Sequence, residues 1–315
     1  MRSARLDVLD VLSVVGPTAA GKSDLAVELA LRLGGEIVNA DSMQLYRGMD
    51  IGTAKLPVAE RRGVRHHLID VLDIDQTSTV AEFQGRARAA IRDCQARGVL
   101  PIVVGGSALY VRAVLDRFEF PGTDPGVRRR LEEELAALGS ERLHARLVDV
   151  DPEAACRILP SNGRRVVRAL EVVAITGGPF TASLPSPAYA FDHVCQVGLD
   201  VSRPVLDERI RLRVDRMWDA GFVEEVRRLD VAGLRKGVTA SRALGYAQVL
   251  AYLAGECGED DARDATVRAT RRFARRQDAW FRRDARISWF AHDAPHLVQQ
   301  ALAAAAPPES AAHPE

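Results

Sequence analysis

The chain has 315 residues with 43 basic and 43 acidic side chains, a formal net charge of zero that by itself argues against a nucleic-acid partner. Hydrophobic residues make up 47 % and charged residues 27 %, the balance of a globular protein, and no run nears the roughly 18 uninterrupted apolar residues that span a bilayer. The length fits one large domain or two unequal ones, and two are expected here. The first residues, MRSARLDVLDVLSVVG, are broken by Asp7 and Asp10 and offer no cleavage site, so a cytoplasmic protein is expected. Cys94, Cys156, Cys195 and Cys257 lie far apart without CxxC or Cys/His ligand spacing, which reads as four reduced thiols with neither disulfide nor zinc.

In chain order, VLSVV (Val11 to Val15) reads as a buried parallel strand, and GKSDLAVELALRLG after it has helical spacing that stops at Gly34 and Gly35. EIVNAD reads as a second short strand. TVAEFQGRARAAIRDCQARG reads as a helix ending at Gly98, followed by the buried strand LPIVVGG and a helix at SALYVRAVLDRF. Alternating strands and helices imply a parallel sheet with helices on both faces, and such sheets bind ligands at the carboxyl ends of their strands. The loops after Val15, Val38 and Val104 fall there. From about Pro125 to Thr176 the pattern becomes helix upon helix, and TGGPFTASLPSP follows as a hinge-like stretch. VCQVGLDV returns to the sheet, helices run on to about Arg286, and ISWF is a last strand. The expected plan is a P-loop NTPase-like α/β core in residues 1–122, a smaller all-helical insertion in 123–194, core completion in 195–298 and a disordered tail in 299–315. No oligomer interface is evident, so a monomer is the default.

Neutrality overall hides a local excess. Arg263, Arg268, Arg271, Arg272, Arg275, Arg276, Arg282, Arg283 and Arg286 face only Asp264, Asp278 and Asp284 over the same segment, which reads as a cationic surface. Arg209, Arg213 and Arg216 share one helix face, either as a solvated stripe or as an anion site. The adjacent His66 and His67 point to opposite faces of a strand and so cannot easily share an ion; they read as structural or loop residues.

The sharpest motif is Gly16-Pro17-Thr18-Ala19-Ala20-Gly21-Lys22-Ser23, which fits GxxxxGK[ST] between a strand and a helix. Its glycines let successive amides curl inward, the helix dipole adds to them, Lys22 supplies a mobile positive charge, and Ser23 can ligate Mg2+. Such a loop binds nucleotides, ATP among them, yet the kinase equipment is weak. Asp70 in HHLIDVLD has only Leu68 and Ile69 before it, and LPIVVGG ends in glycines rather than a metal-binding aspartate. A small-molecule kinase is the runner-up reading, and a nucleotide-switched RNA-binding module the third. Asp41, at the end of the second strand, lies near the mouth of the cradle, where a carboxylate is either a turn cap or a proton acceptor.

NADSMQLYRGMDIGTAK, together with GPTAAGKS, VGGSALYVRAVL, RVVRALEV, GFVEEVRRL, ALGYAQ and TRRFARRQDAWFRRD, resembles the tRNA dimethylallyltransferases, also called tRNA isopentenyltransferases. The motifs stand in family order over about Val14 to Trp289, and DSMQLYRGMDIGTAK is the most specific of them. The resemblance implies that the cradle holds the pyrophosphate of dimethylallyl diphosphate. The prenyl chain would pass to the exocyclic amino group of the adenine immediately 3′ of the anticodon. It also implies Asp41 as base, with Thr18 and Arg213 acting on the diphosphate; Arg209 is the alternative one helical turn away. It implies tRNA contacts from Asp41, Ser42, Met43, Gln44, Ser107 and Arg128, from Arg164, Arg165, Val166, Val167 and Arg168, from Ser241, Arg242, Ala243, Leu244, Gly245 and Tyr246, and from Arg271, Arg272, Arg275 and Arg276. Ser107 keeps a hydroxyl where the family usually has Thr, and Ala108 replaces its usual Gly. Leu244 stands where Ile is common, and Asp278 brings a negative charge where an apolar residue is usual. The helix around Arg275 is expected to pack on the core through Phe273, Trp280 and Phe281.

Overall fold

The computed structural model describes residues 9–180 and 186–306. Strand β1 (Val11–Val15) is buried at every position, as a strand covered on both faces must be. A glycine loop leads into α1 (Lys22–Leu33), whose Leu25, Ala26, Leu29, Ala30 and Leu33 form one buried stripe. β2 (Gly35–Asn39) follows at once, then the short β3 (His66–His67). α2 (Val80–Ala96) opens on a capping box in which Thr79 and Glu82 satisfy each other's backbone N–H groups. β4 (Leu100–Gly105) is again wholly buried and runs into α3 (Ala108–Leu115).

The chain divides into two compact units, Met1–Arg117 with Pro187–Glu315, and Phe118–Ser186. The smaller unit is thus set a few residues earlier than the expected 123–194. Residues after 186 return to the larger unit because Arg117 and Ala190 donate their N–H groups to Ala188 and Leu115 across the two crossing strands. Within the smaller unit, α4 (Pro125–Leu138), α5 (Ser140–Val150), α6 (Pro152–Arg157) and α7 (Gly163–Thr176) enclose Leu131, Leu143, Leu147, Ile158, Val166, Val167 and Leu170. Asp124, Asp151 and Asn162 cap three of these helices, and proline takes the first helical position in two of them.

The larger unit continues with β5 (Val194–Asp200), α8 (Arg203–Asp219), α9 (Phe222–Val231), α10 (Tyr246–Leu253), α11 (Glu259–Phe281), β6 (Ile287–Ala291) and α12 (Leu297–Ala305). All six strands are parallel in the order β3-β2-β4-β1-β5-β6. Val11 and Val15 face one core with residues of α2, α3, α9 and α10, while Leu12 and Val14 face another with α1 and α12. Helices therefore cover both faces. Parallel pairing also sends the loops after β1, β2 and β4 to the same end of the sheet.

Two expectations meet residues outside those described: the hinge-like stretch in part, at 181–185, and the tail from 307 onward. The first part of the expected tail is instead helix α12, with Ala301 and Ala305 buried. Its alanine run reads as low complexity, yet alanine is the best helix former and the small side chains let the helix lie close to the sheet. Among the described residues no helix is long and apolar enough to cross a membrane.

Candidate active site

The loop between β1 and α1 curls with Ala19 in the left-handed region at φ 64°, and α1 begins at Lys22. The N–H groups of a helix's first turn have no partner within the helix, so this end faces outward as a donor surface. Lys22 Nζ donates to the Pro17 carbonyl at 2.7 Å. Burial and the neighbouring Arg213 guanidinium lower the Lys22 pKa to about 7, with the Asp41 carboxylate opposing them. Arg213 donates from Nη1 to Thr18 Oγ1 at 3.0 Å, and Arg209 places its Nη2 beside Gly21. Burial likewise lowers the Arg213 pKa, while Asp41 and Asp24 raise it. These cations stand crowded together, and an anion between them would relieve the crowding.

A cavity of about 450 Å³ opens over the loop. Thr18, Ala19, Gly21, Lys22 and Ser23 line it from the loop after β1 and the start of α1, Asn39, Asp41 and Gln44 from the end of β2 and the turn after it, Gly105 and Gly106 from the end of β4, Arg209, Arg213 and Arg216 from α8, and Gln277 from α11. Asp41 is held from two sides. Its N–H donates to Asn39 Oδ1 at 3.0 Å while Asn39 Nδ2 donates back to its carbonyl, and its own Oδ1 accepts the Met43 N–H at 2.9 Å. Among the described residues the second carboxylate oxygen has no such bond, which leaves it open to accept a proton from the cavity side. Asp41 is thus both the turn cap and a possible acceptor, one oxygen for each role.

Downstream, the same loop is anchored in the core. Glu225, 1 % exposed, accepts the N–H groups of Asp50, Ile51 and Gly52 at 3.0, 2.7 and 3.2 Å and the Tyr246 hydroxyl at 2.6 Å. Burial and Glu225 push the Tyr246 hydroxyl far above the usual phenol range, so it stays a donor. A Cβ on Gly52 would lie 2.1 Å from the Phe222 ring, so only glycine lets the loop approach this anchor. Lys55, also buried, pairs with Asp50 at 2.8 Å and Asp70 at 2.5 Å. Gln44 closes the loop by donating to the Thr53 carbonyl at 3.1 Å.

The family model of IPP transferase matches residues 44–284. The chain belongs to the IPP transferase family. It is similar to the tRNA dimethylallyltransferase of Thermobifida fusca, 65 % identical over 93 % of both chains, and to that of Streptomyces griseus, 64 % identical over 93 % of this chain and 97 % of the other. Among solved structures, a tRNA isopentenylpyrophosphate transferase from Bacillus halodurans matches with TM-score 0.68 and 39 % identity over 94 % of each chain. A eukaryotic dimethylallyltransferase acting on tRNA matches with TM-score 0.79 and 27 % identity over 90 % of this chain and 73 % of the other.

For an IPP transferase family member, the remaining sequence-predicted residues fall into three groups. Several are built into the protein rather than its surface. Val166 and Val167 are 0 % and 1 % exposed in the core of the smaller unit, because their places on α7 face α4 and α5. Ala243, Gly245 and Tyr246 are buried as well, Tyr246 at 0 %. Buried in this way, these five positions are closed to an RNA. Gly16, Pro17 and Ala20 are buried beneath the cradle. Ser42 and Met43 are half-buried beside it, Ser42 bonded to Tyr110. Ser107 starts α3 next to Gly106 without lining the cavity.

A second group is engaged in ion pairs. Arg128 and Arg168 both grip Glu171, a fully buried carboxylate on α7, the Arg168 bond being 2.7 Å. Arg271 donates to the Asp207 carbonyl at 3.1 Å, and Arg275 approaches the Asp207 carboxylate at 3.5 Å. The basic segment is also thinner than its nine arginines suggest. Arg263 pairs with Asp215, Arg282 pairs with Asp200 and stacks on Trp289, and Arg286 pairs with Asp116 and Asp284. The third group is exposed: Arg164, Arg165, Arg242, Arg272 and Arg276, with Ser241 and Leu244 half-exposed. On α11, Phe281 is buried as expected but Trp280 is 42 % exposed. Helical spacing from the buried Ala274 reaches Gln277 and Phe281 and passes Trp280 by.

Sequence reading missed Gln277, Asn39 and Glu225. The signal for Gln277 was available, since Ala274-Gln277-Phe281 is a core stripe with one polar member. Spacing also hid a cluster assembled from β2, β3 and α2, in which Glu36, His67 and Cys94 offer ligand atoms within 4.8 Å of one another. Arg97 already neutralises it with bonds of 2.7 and 2.6 Å to Glu36, holding that carboxyl down at about 2, and burial lifts the Cys94 thiol to about 11.

Proposed function

We infer that the protein transfers the dimethylallyl group of dimethylallyl diphosphate to the exocyclic amino group of the adenine immediately 3′ of the anticodon in tRNA, releasing pyrophosphate. One observation carries the site-level reading: the Asp41 carboxylate, a lysine, three arginines and a helix N-terminus line the same cavity of about 450 Å³. That volume lies within the range of ordinary small-molecule sites.

In this reading the adenine leaves its stack and its amino nitrogen forms a bond to the allylic carbon as the bond from that carbon to the diphosphate oxygen breaks. The amine's lone pair is delocalised into the ring, so loss of its proton to the free oxygen of Asp41 lowers the barrier, a general-base contribution of roughly 10² to 10⁴-fold. Thr18, Lys22, Arg213 and the first amides of α1 meet the charge that builds on the leaving oxygen. The hydroxyl of Ser23 with the nearby carboxylate of Asp24 makes a hard oxygen donor set that suits Mg2+. Bound there, the ion would neutralise charge on the diphosphate. Exposed Arg272 and Arg276 of α11, and Arg164 and Arg165 of the smaller unit, supply backbone grip on the anticodon arm. The enzyme works in the cytoplasm.

The test supplies unmodified tRNA, Mg2+ and dimethylallyl diphosphate labelled in its prenyl chain, with a parallel reaction containing γ-labelled ATP. Prenyl label on tRNA with one pyrophosphate released per transfer is expected. Label leaving ATP for a small acceptor, with none on tRNA, would overturn the reading in favour of a kinase.

A further inference from the structure

Gln277 is 6 % exposed on the inner face of an arginine-rich helix, and it reaches the cavity. Its Oε1 accepts the Thr18 N–H at 2.9 Å, a bond between residues 259 apart in sequence. A backbone N–H only donates, which settles the carboxamide's orientation and turns Nε2 toward Gly106. A Cβ on Gly106 would lie 2.4 Å from that nitrogen. Nε2 has no hydrogen-bond partner among the described residues. The side chain is nine-tenths buried, yet Nε2 keeps accessible surface at the cavity wall, where its N–H groups are free to donate to what the cavity holds.

Thr18 is thereby held twice. Its N–H is engaged by Gln277, and its Oγ1 accepts from Arg213 at 3.0 Å. A hydroxyl whose oxygen accepts from one side keeps its single proton for another direction. We propose that Gln277 is a positioning residue for diphosphate: it fixes the Thr18 turn of the loop while its free Nε2–H, passing over Gly106, donates to the ligand's oxygens. The role rests on the function inferred above. It also explains a sequence feature, since Gly106 must lack a side chain for the carboxamide to pass.

The experiment is a double-mutant cycle in the full chain with Gln277→Ala, Gly106→Ala and both together, reading kcat, KM for each substrate, pyrophosphate affinity by titration, and thermal melting. Gln277→Ala should lower kcat/KM for dimethylallyl diphosphate about tenfold or more, because small misplacements at a reacting centre are costly, while KM for tRNA stays within about twofold. Gly106→Ala should do similar damage alone by displacing the carboxamide, and almost none in the Gln277→Ala background, where nothing remains to displace. A further cycle with Thr18→Ala should show that losing Gln277 costs less once the threonine hydroxyl is gone. Losses that multiply in the first cycle, or a Gln277→Ala enzyme indistinguishable from wild type, would overturn the assignment. Absence of prenyl transfer by the wild type would instead overturn the inferred function, and pyrophosphate affinity would still read the same cycle for Gln277. Melting within a few degrees of wild type separates a local effect from unfolding.

Discussion

Lys22 offers a quantitative test of the cradle. In the unliganded protein its pKa is lowered to about 7 by burial and by Arg213. A diphosphate beside it would favour the charged amine and raise that value, so binding takes up a proton between the free and bound pKa values. The sign follows directly: affinity is full below about 7 and falls as the pH rises through it. At pH 8 a lysine of pKa about 7 is about 9 % protonated, so binding should take up about 0.9 proton and affinity should be about tenfold weaker than at pH 6. Folding without ligand runs the other way. The unfolded chain binds the proton more readily between about 7 and the ordinary 10.5, so stability rises with pH across that window. The assay is calorimetric titration of dimethylallyl diphosphate without tRNA, in buffers of different ionisation enthalpy, on wild type and Lys22→Arg. Arginine keeps its charge throughout, so the variant reports only the ligand's own ionisation. Equal pH slopes and equal proton uptake in the two proteins would refute the reasoning.

Asp41→Asn keeps an oxygen to cap the Met43 N–H and removes the proton acceptor, so it should lower kcat by roughly 10² to 10⁴-fold with tRNA affinity unchanged; filter binding beside a turnover assay checks both, and unaltered turnover would remove Asp41 as base. Tyr246→Phe takes one of four donors from the buried Glu225 and should cost about 1–3 kcal/mol of stability without weakening tRNA binding, as chemical denaturation and a binding assay would show. A loss of RNA affinity with full stability would put Tyr246 back on the RNA. Arg272→Glu should weaken tRNA binding and flatten the slope of log affinity against log salt by about 0.7–0.9 for each phosphate the arginine no longer neutralises. An unchanged slope would take α11 off the RNA face.

The α/β core was legible because buried parallel strands read as unbroken apolar runs, and VLSVV and LPIVVG do so without ambiguity. The cradle and Asp41 were legible for a related reason, since both lie within a few residues of a strand end. What stayed hidden depends on partners far apart in sequence. Glu225 reads as one more acid in GFVEEVRRL, and nothing local shows that the amides it serves lie 173 to 175 residues earlier. Tyr246 and Val167 sit in motifs that resemble RNA contacts, yet helix geometry turns both inward. In a motif read as a string every member looks alike. Along α7 only the alternation of Arg164 and Arg165 with Val166 and Val167 separates the outward face from the core.

One device recurs at the carboxyl end of the sheet. Asn39 fixes the Asp41 turn, Gln277 and Arg213 fix Thr18, and Glu225 fixes residues 50–52. In each case a polar side chain fixes the loop by hydrogen bonds. Ordering a loop costs about 1–2 kcal/mol per residue, and these bonds place that cost in folding rather than in binding. Anchors and walls should then fail differently. Removing an anchor outright, as Glu225→Ala does by freeing the amides of residues 50–52, returns the ordering cost to the binding step, raising KM and lowering stability together. Neutralising a wall residue while keeping its cap, as Asp41→Asn does, leaves the loop ordered and acts on kcat alone.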